Sequence, residues 1–283
     1  MKNRKALFFD IDGTLFSDKV RQVPQSAVLA LKKTRKQGNL VFINTGRTWC
    51  QTREIRQIVE TDGLCCGCGT YLTGIAPEEA GSSDAGRRQE DAQERQEVLY
   101  QLQIQPERAA EILTALEQCR MDAVLEGADA CWMAPGGPRT GMMRRIRDVL
   151  KLSGSLADTG WWDPALGINK FCVCAEEGGC PEAFFKTIPD FDVIDRGNGF
   201  YECVPQGHSK ATAIEMILHT YGIAKQDAWV FGDSTNDLAM FQYAENAVLM
   251  GAHDKELEPY ATFVTRTVEE DGILWAMEQL GLL

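Results

Sequence analysis

Three short apolar runs, Ala6–Phe9, Leu40–Ile43 and Ala228–Phe231, each stop abruptly at a turn carrying acid, hydroxyl or glycine residues. Runs of four or five apolar residues without alternation suit strands buried on both faces, which is the habit of a parallel sheet. The segments between the first two fit that reading. Pro24 and Gln25 open a helical pattern with Val28, Leu29 and Leu31 apolar, a basic end at Lys32–Lys36, and Gly38 in place to close it. A second helix is expected over about 48–60. Residues 1–60 therefore read strand–helix–strand–helix, the unit of a parallel α/β sheet with right-handed crossovers.

The first run ends in Asp10-Ile11-Asp12-Gly13-Thr14. At the strand period of two, Asp10 and Asp12 project to one side while Ile11 points away. Two carboxylates at the carboxyl end of a buried strand are costly unless a cation or substrate compensates them, and that end of an open α/β sheet is where ligands bind. Such a pair suits attack of one carboxylate on phosphorus, with the other moving the proton. The plain alternative is a pair of solvated turn acids, since Asp-Gly is a common turn dipeptide. Residues 6–14 alone support both.

Length and composition narrow the classes. At 283 residues one or two domains are expected. A net charge of −12 argues against phosphate-backbone contacts to nucleic acid. No apolar stretch of 18 residues occurs, so a soluble, cytoplasmic protein without a membrane partner is expected. The ten cysteines do not repeat a zinc spacing, and Cys172 and Cys174 share one face of a strand pattern. They read as small buried hydrophobes in a reducing compartment.

Further along, Gly63 to Gly74 suggests a strand and hairpin, and residues 77–97 form a polar stretch without periodicity, read as a long loop or disordered insertion with a solvated helix over 88–97 as the alternative. From about 106 the pattern changes to an α+β block. Helices are expected over 107–119 and 139–151, strands at 123–125, 130–133, 170–175, 191–194 and 200–204. The parallel pattern resumes with a helix capped by Ser209, strands at 228–232 and 247–250, and a closing helix over 268–280. The fold expected is an α/β doubly wound parallel sheet with an inserted α+β domain. Its divisions are 1–104 and 205–283 for the sheet domain and 105–204 for the insertion.

In a doubly wound sheet, Asp10 and Asp12, Thr45, and Asp233 and Asp237 all open onto one edge. Thr45 and the Gly46 amide can donate to phosphate oxygens. Lys210, in the first turn of its helix, can offset phosphate and carboxylate charge, and the acids can hold a hard cation, with Asn236 a neutral donor or acceptor between them.

Asp10-x-Asp12-Gly13-Thr14, the Thr45-Gly46-Arg47 motif, Lys210 and Gly232-Asp233-x-x-Asn236-Asp237 resemble, in order, the four motifs of the haloacid dehalogenase superfamily. Thr45-Gly46-Arg47 and Tyr201-Glu-Cys-Val-Pro-x-Gly-x-Ser-Lys210 are similar to its Cof-type phosphatases, which carry a C2 cap. The resemblance implies a Mg²⁺-dependent phosphatase acting on a small phosphorylated metabolite, with a Rossmann-like core and an inserted cap. It implies Asp10 as nucleophile and Asp12 as general acid and base. It further implies Thr45, Gly46, Lys210 and Asn236 around the phosphate, and Asp10, Asp12, Asp233 and Asp237 around Mg²⁺. Arg47 is a candidate contact to substrate or cap, with a surface charge as its alternative, and Glu202 is a candidate hinge hydrogen-bonder, with a place facing the cleft as its alternative. Trp162 is a candidate contact to the leaving group or an anchor of the cap's own core. Two positions depart from the family pattern: Asn44 stands where a small residue is usual, and Cys68-Gly69 where Asn-Gly is common. The polar stretch at 77–97 is also longer than usual. A phosphotransferase or phosphomutase, and a non-catalytic phosphometabolite-binding protein, are the alternative functions on the same fold.

Overall fold

A computed structural model describes residues 4–76, 96–159 and 167–283. The polar stretch thus lies outside the described residues from 77 to 95, as do Trp161 and Trp162. The described strands are, in chain order, β1 Ala6–Phe9, β2 Leu40–Asn44, β3 Gly63–Cys66, β4 Tyr71–Gly74, β5 Glu97–Gln101, β6 Met121–Glu126, β7 Cys131–Met133, β8 Lys170–Ala175, β9 Phe191–Asp195, β10 Phe200–Pro205, β11 Ala228–Gly232, β12 Asn246–Leu249 and β13 Phe263–Val264.

Contacts divide the chain into two compact units. The first comprises Met1–Gly46, Ile55–Tyr100 and Ser209–Leu283; the second comprises Arg47–Glu54 and Gln101–His208.

The first unit holds an eight-stranded sheet among the described residues, in the order β13-β12-β11-β1-β2-β3-β4-β5. From β13 to β3 the pairings are parallel, and β4 turns back antiparallel on β3. Chain order runs outward from β1 in one direction and resumes on its other side with β11, so the sheet is doubly wound. Side chains alternate across it. Ala6, Phe8, Leu40 and Phe42 face helices Lys210–Tyr221 and Leu238–Tyr243, with Phe8 stacked on Phe42 at 5.3 Å between ring centroids. Leu7, Phe9, Val41 and Ile43 point the other way and are equally buried. Each such phenylalanine contributes about 1.5–3 kcal/mol by leaving water. Helix Gln25–Lys36 packs on β2 and against helix Gly272–Gln279.

The second unit is a separate antiparallel sheet, β7-β6-β8-β10-β9. One face buries Leu125, Phe171 and Val173 together with Ile112 and Leu116 of helix Pro106–Gln118. The other buries Val124, Cys172 and Cys174 with Met143 and Leu150 of helix Gly141–Leu152. All ten cysteines are free thiols, most of them buried. Cys172 and Cys174 do share a face, packed among hydrophobes.

Two expected helices are broken. The segment after β2 begins as a 3₁₀ turn, Trp49–Thr52, capped reciprocally by Thr48 and Gln51, before helix Arg53–Ile58. The closing segment is a 3₁₀ turn, Val268–Glu270, separated from helix Gly272–Gln279 by Asp271 at φ 58°. A left-handed residue interrupts the helical ladder, which apolar spacing alone does not reveal.

Candidate active site

Because β11, β1 and β2 are neighbours in parallel register, their carboxyl ends coincide. Phe9 is aligned with both Phe231 and Ile43, so Asp10, Gly232 and Asn44 arrive at one edge of the sheet. The Asp10 amide donates to the Phe231 carbonyl at 3.0 Å, extending the ladder one residue beyond the strand. Asp10 is only 2% exposed, which disposes of the solvated-turn reading. Gly13 then turns the chain at φ +82°, and a Cβ there would lie 2.3 Å from Asp233 Oδ2. Only glycine admits both that conformation and that approach.

Lys210 lies at the centre of the charge. It is the first residue of its helix, after Ser209, whose hydroxyl accepts from the Thr212 amide. Its ammonium donates to Asp10 Oδ1 at 2.6 Å and to Asp237 Oδ1 at 2.6 Å, with all three side chains buried. Asp237 Oδ2 accepts from the Asp233 amide at 2.9 Å and the Ser234 amide at 3.3 Å, so both of its oxygens are engaged. Asp233 Oδ1 accepts from Thr14 Oγ1 at 2.9 Å. Asp10 Oδ2 is buried without a hydrogen-bond partner among the described residues.

This arrangement carries more negative than positive charge. Asp10 is raised to about 7, chiefly by burial, with Lys210 opposing the rise and the charges of Asp237 and Asp12 adding to it. Asp233 is raised to about 8, by burial first and then by the charges of Asp10 and Asp237. Lys210 is raised despite its burial, because the two carboxylates hold its proton. Ligand atoms of Asp10, Asp233 and Asp237 all lie within 4.8 Å of one another. Three hard oxygen donors at that spacing, one with an unpartnered buried oxygen, fit a divalent cation such as Mg²⁺, and its charge would reverse the upward shifts.

Asp12 is half-buried, lies outside that set of three, and acts on Asp10 through its charge. Thr45 is buried at the end of β2, its amide donating to the Cys65 carbonyl at 2.8 Å, and Gly46 beside it is half-buried. Asn236 Oδ1 accepts from Ser234 Oγ at 2.8 Å within the loop that follows β11. Arg47 is half-buried and belongs to the second unit, and Trp162 lies outside the described residues.

Three features lie beyond the roles that the motifs imply. Thr14 holds Asp233; its place in the Asp-x-Asp-Gly-Thr string gave the signal. Asp254, which accepts from the Thr235 amide at 2.8 Å, braces the same loop from a distant turn that carries no motif. In the second unit Lys170 is buried between Glu126 and Glu202, donating to Glu202 at 2.8 Å, while Gln51 donates to Glu126 at 2.8 Å. Glu202 is therefore an ion-pair partner inside its own sheet. The charged Lys170 heading an apolar strand was the available clue.

Residues 7–277 match the family of haloacid dehalogenase-like hydrolases. The Bacillus subtilis protein YkrA, a phosphatase by name, is 25% identical over 288 residues, covering 99% of this chain and 98% of its own. A hypothetical protein from Geobacillus kaustophilus HTA426 has a solved structure similar at TM-score 0.79 and 26% identity, over 99% of this chain and 100% of that one. The subclass IIB sugar phosphatase BT4131 shares the fold at TM-score 0.74 and 24% identity, over 99% and 100%. With the family matched along nearly the whole chain, and a parallel core sheet in one unit and a separate antiparallel cap sheet in the other, the chain belongs to the haloacid dehalogenase-like hydrolases, as a Cof-type, C2-capped phosphomonoester hydrolase.

Proposed function

We propose that this phosphatase hydrolyses a small organic phosphomonoester, drawn from the sugar phosphates, nucleotides or cofactor phosphates, through an aspartyl-phosphate on Asp10. The observation that carries this is the pairing of an unpartnered, buried Asp10 Oδ2 with an Oδ1 already held by Lys210. One oxygen is oriented and the other keeps its lone pairs.

The Asp10 carboxylate attacks phosphorus, the bond to the leaving oxygen breaks, and Asp12 delivers a proton to that oxygen. Asp12 then takes a proton from water as the water attacks the phosphoryl group, and the bond to Asp10 breaks to release phosphate. Lys210, Thr45 and the Gly46 amide bind the phosphate oxygens, and Asn236 orders the loop beside them. Asp10, Asp233 and Asp237 would hold Mg²⁺, with Asp12 adding to their field. When bound, the ion offsets carboxylate charge and polarises the phosphoryl oxygens.

The test is phosphate release with Mg²⁺ across sugar phosphates, nucleotides, pyridoxal phosphate and flavin mononucleotide. Free phosphate from at least one class, abolished in Asp10→Asn, is the expected result. An isomerised product without free phosphate would replace the reading with a mutase, and no turnover of any class would replace it with a binding protein.

A further inference from the structure

Asn44 is the last residue of β2, fully buried, and departs from the family pattern, in which a small residue is usual there. Its Nδ2 donates to the backbone carbonyl of Lys210 at 2.9 Å and lies 3.8 Å from Met240 Sδ. A carbonyl only accepts, so the amide nitrogen is the end that faces Lys210. Its Oδ1 has no hydrogen-bond partner among the described residues.

That orphan oxygen makes the residue informative. A buried acceptor without a donor destabilises a fold, and leucine, with the same number of heavy atoms, would leave no side-chain atom unpaired. The Lys210 carbonyl already has the helical bond from four residues on. Packing therefore gives no reason for an amide here. What the amide adds is a tie between β2 and the backbone of Lys210, whose ammonium reaches Asp10.

The tie closes a ring of contacts. Asp10 leaves β1, and β1 and β2 are paired in register. Asn44 leaves β2 and grips the Lys210 backbone, while the Lys210 ammonium grips Asp10 and Asp237. A lysine side chain has four rotatable bonds, and holding its root through Asn44 as well as its ammonium through Asp10 and Asp237 leaves few of their combinations open. The neighbouring turn supports the same end of the helix. Gly69, at φ +88°, approaches so closely that a Cβ would sit 2.7 Å from the Ser209 carbonyl.

We infer that Asn44 is a positioning residue for phosphoryl transfer, setting the place of Lys210 through its backbone carbonyl. The inference rests on the phosphatase reading above, in which Lys210 binds the phosphate.

The experiment compares Asn44→Leu with wild type, with Met240→Leu as a control that removes only the weak sulfur contact and Lys210→Ala as a check on the underlying reading. Turnover of para-nitrophenyl phosphate, inhibition by inorganic phosphate and Tm are measured on the full chain. Misplacing a group that acts on the transition state is expected to lower kcat by about tenfold. Inhibition by inorganic phosphate should weaken several-fold, while Tm is unchanged or higher. Met240→Leu should leave kinetics unchanged. If Asn44→Leu does not fold, Asn44→Ser, which is too short to reach the carbonyl, is read in the same way. Wild-type kcat and phosphate inhibition in the Asn44 variant, with Lys210→Ala inactive, would overturn the positioning role alone. A lowered Tm with unchanged kinetics would do the same and make Asn44 structural. Full turnover by Lys210→Ala would overturn the phosphatase reading of the site and this inference with it.

Discussion

Lys210 Nζ and Asp10 Oδ1 are 2.6 Å apart across 200 positions of sequence, and both side chains are buried. The same ammonium reaches Asp237, so one cation is shared by two acids that would otherwise repel each other. Coulomb attraction at this distance is strong wherever water is excluded.

Lys210→Met should therefore cost stability as well as activity. Removing one partner of a buried ion pair typically costs about 3–5 kcal/mol, because the remaining charges stay buried. Urea denaturation in chelator should show a loss of that order, and Mg²⁺ should recover part of it by binding the native acids. A variant as stable as wild type in chelator would mean that the acids are neutral without the lysine.

Asp10→Asn should keep the fold, since Lys210 retains Asp237, and should lower turnover by about a thousandfold or more. Phosphate release measured with Mg²⁺ present checks this. Substantial release would sink the covalent mechanism.

Gly13→Ala should disturb Asp233 first. The added Cβ would lie 2.3 Å from Asp233 Oδ2 in a backbone conformation that alanine adopts poorly. The Mg²⁺ concentration for half-maximal activity should rise about tenfold or more, following loss of one well-placed oxygen ligand. Unchanged metal dependence would remove Asp233 from the cation site.

Metal removal and replacement probe the cluster directly. Chelator should abolish activity and Mg²⁺ restore it, while excess Ca²⁺ inhibits, because the larger ion takes more ligands in looser geometry. Equal rates with both ions would count against a site in which Asp10 is at once ligand and nucleophile.

In the cap, Lys170→Met leaves Glu126 and Glu202 buried together without their shared cation. A loss of about 3–5 kcal/mol in urea is expected by the same reasoning as for Lys210. Full stability would show that water or a neighbouring group takes the place of the ammonium.

The sequence carried the doubly wound core because its signals are local: four-residue apolar runs, a capping serine at 209, and glycine at 13 and 38 each act within a few residues. Asp10, Thr45, Lys210 and Asp233 were legible as a group for the same reason, since each follows a strand or opens a helix, and parallel strands must end at a common edge. Tertiary structure alone decided what distance decides. It paired both Asp237 oxygens, left Asp10 Oδ2 without a partner among the described residues, and set Asn44 against a carbonyl 166 positions away. It also placed Arg47–Glu54 with the cap rather than the core, and sank Lys170 between two glutamates. Local pattern reports which way a side chain leaves the backbone, whereas hydrogen bonds and buried charge depend on which distant group it meets, and that is settled only when the sheets and helices pack.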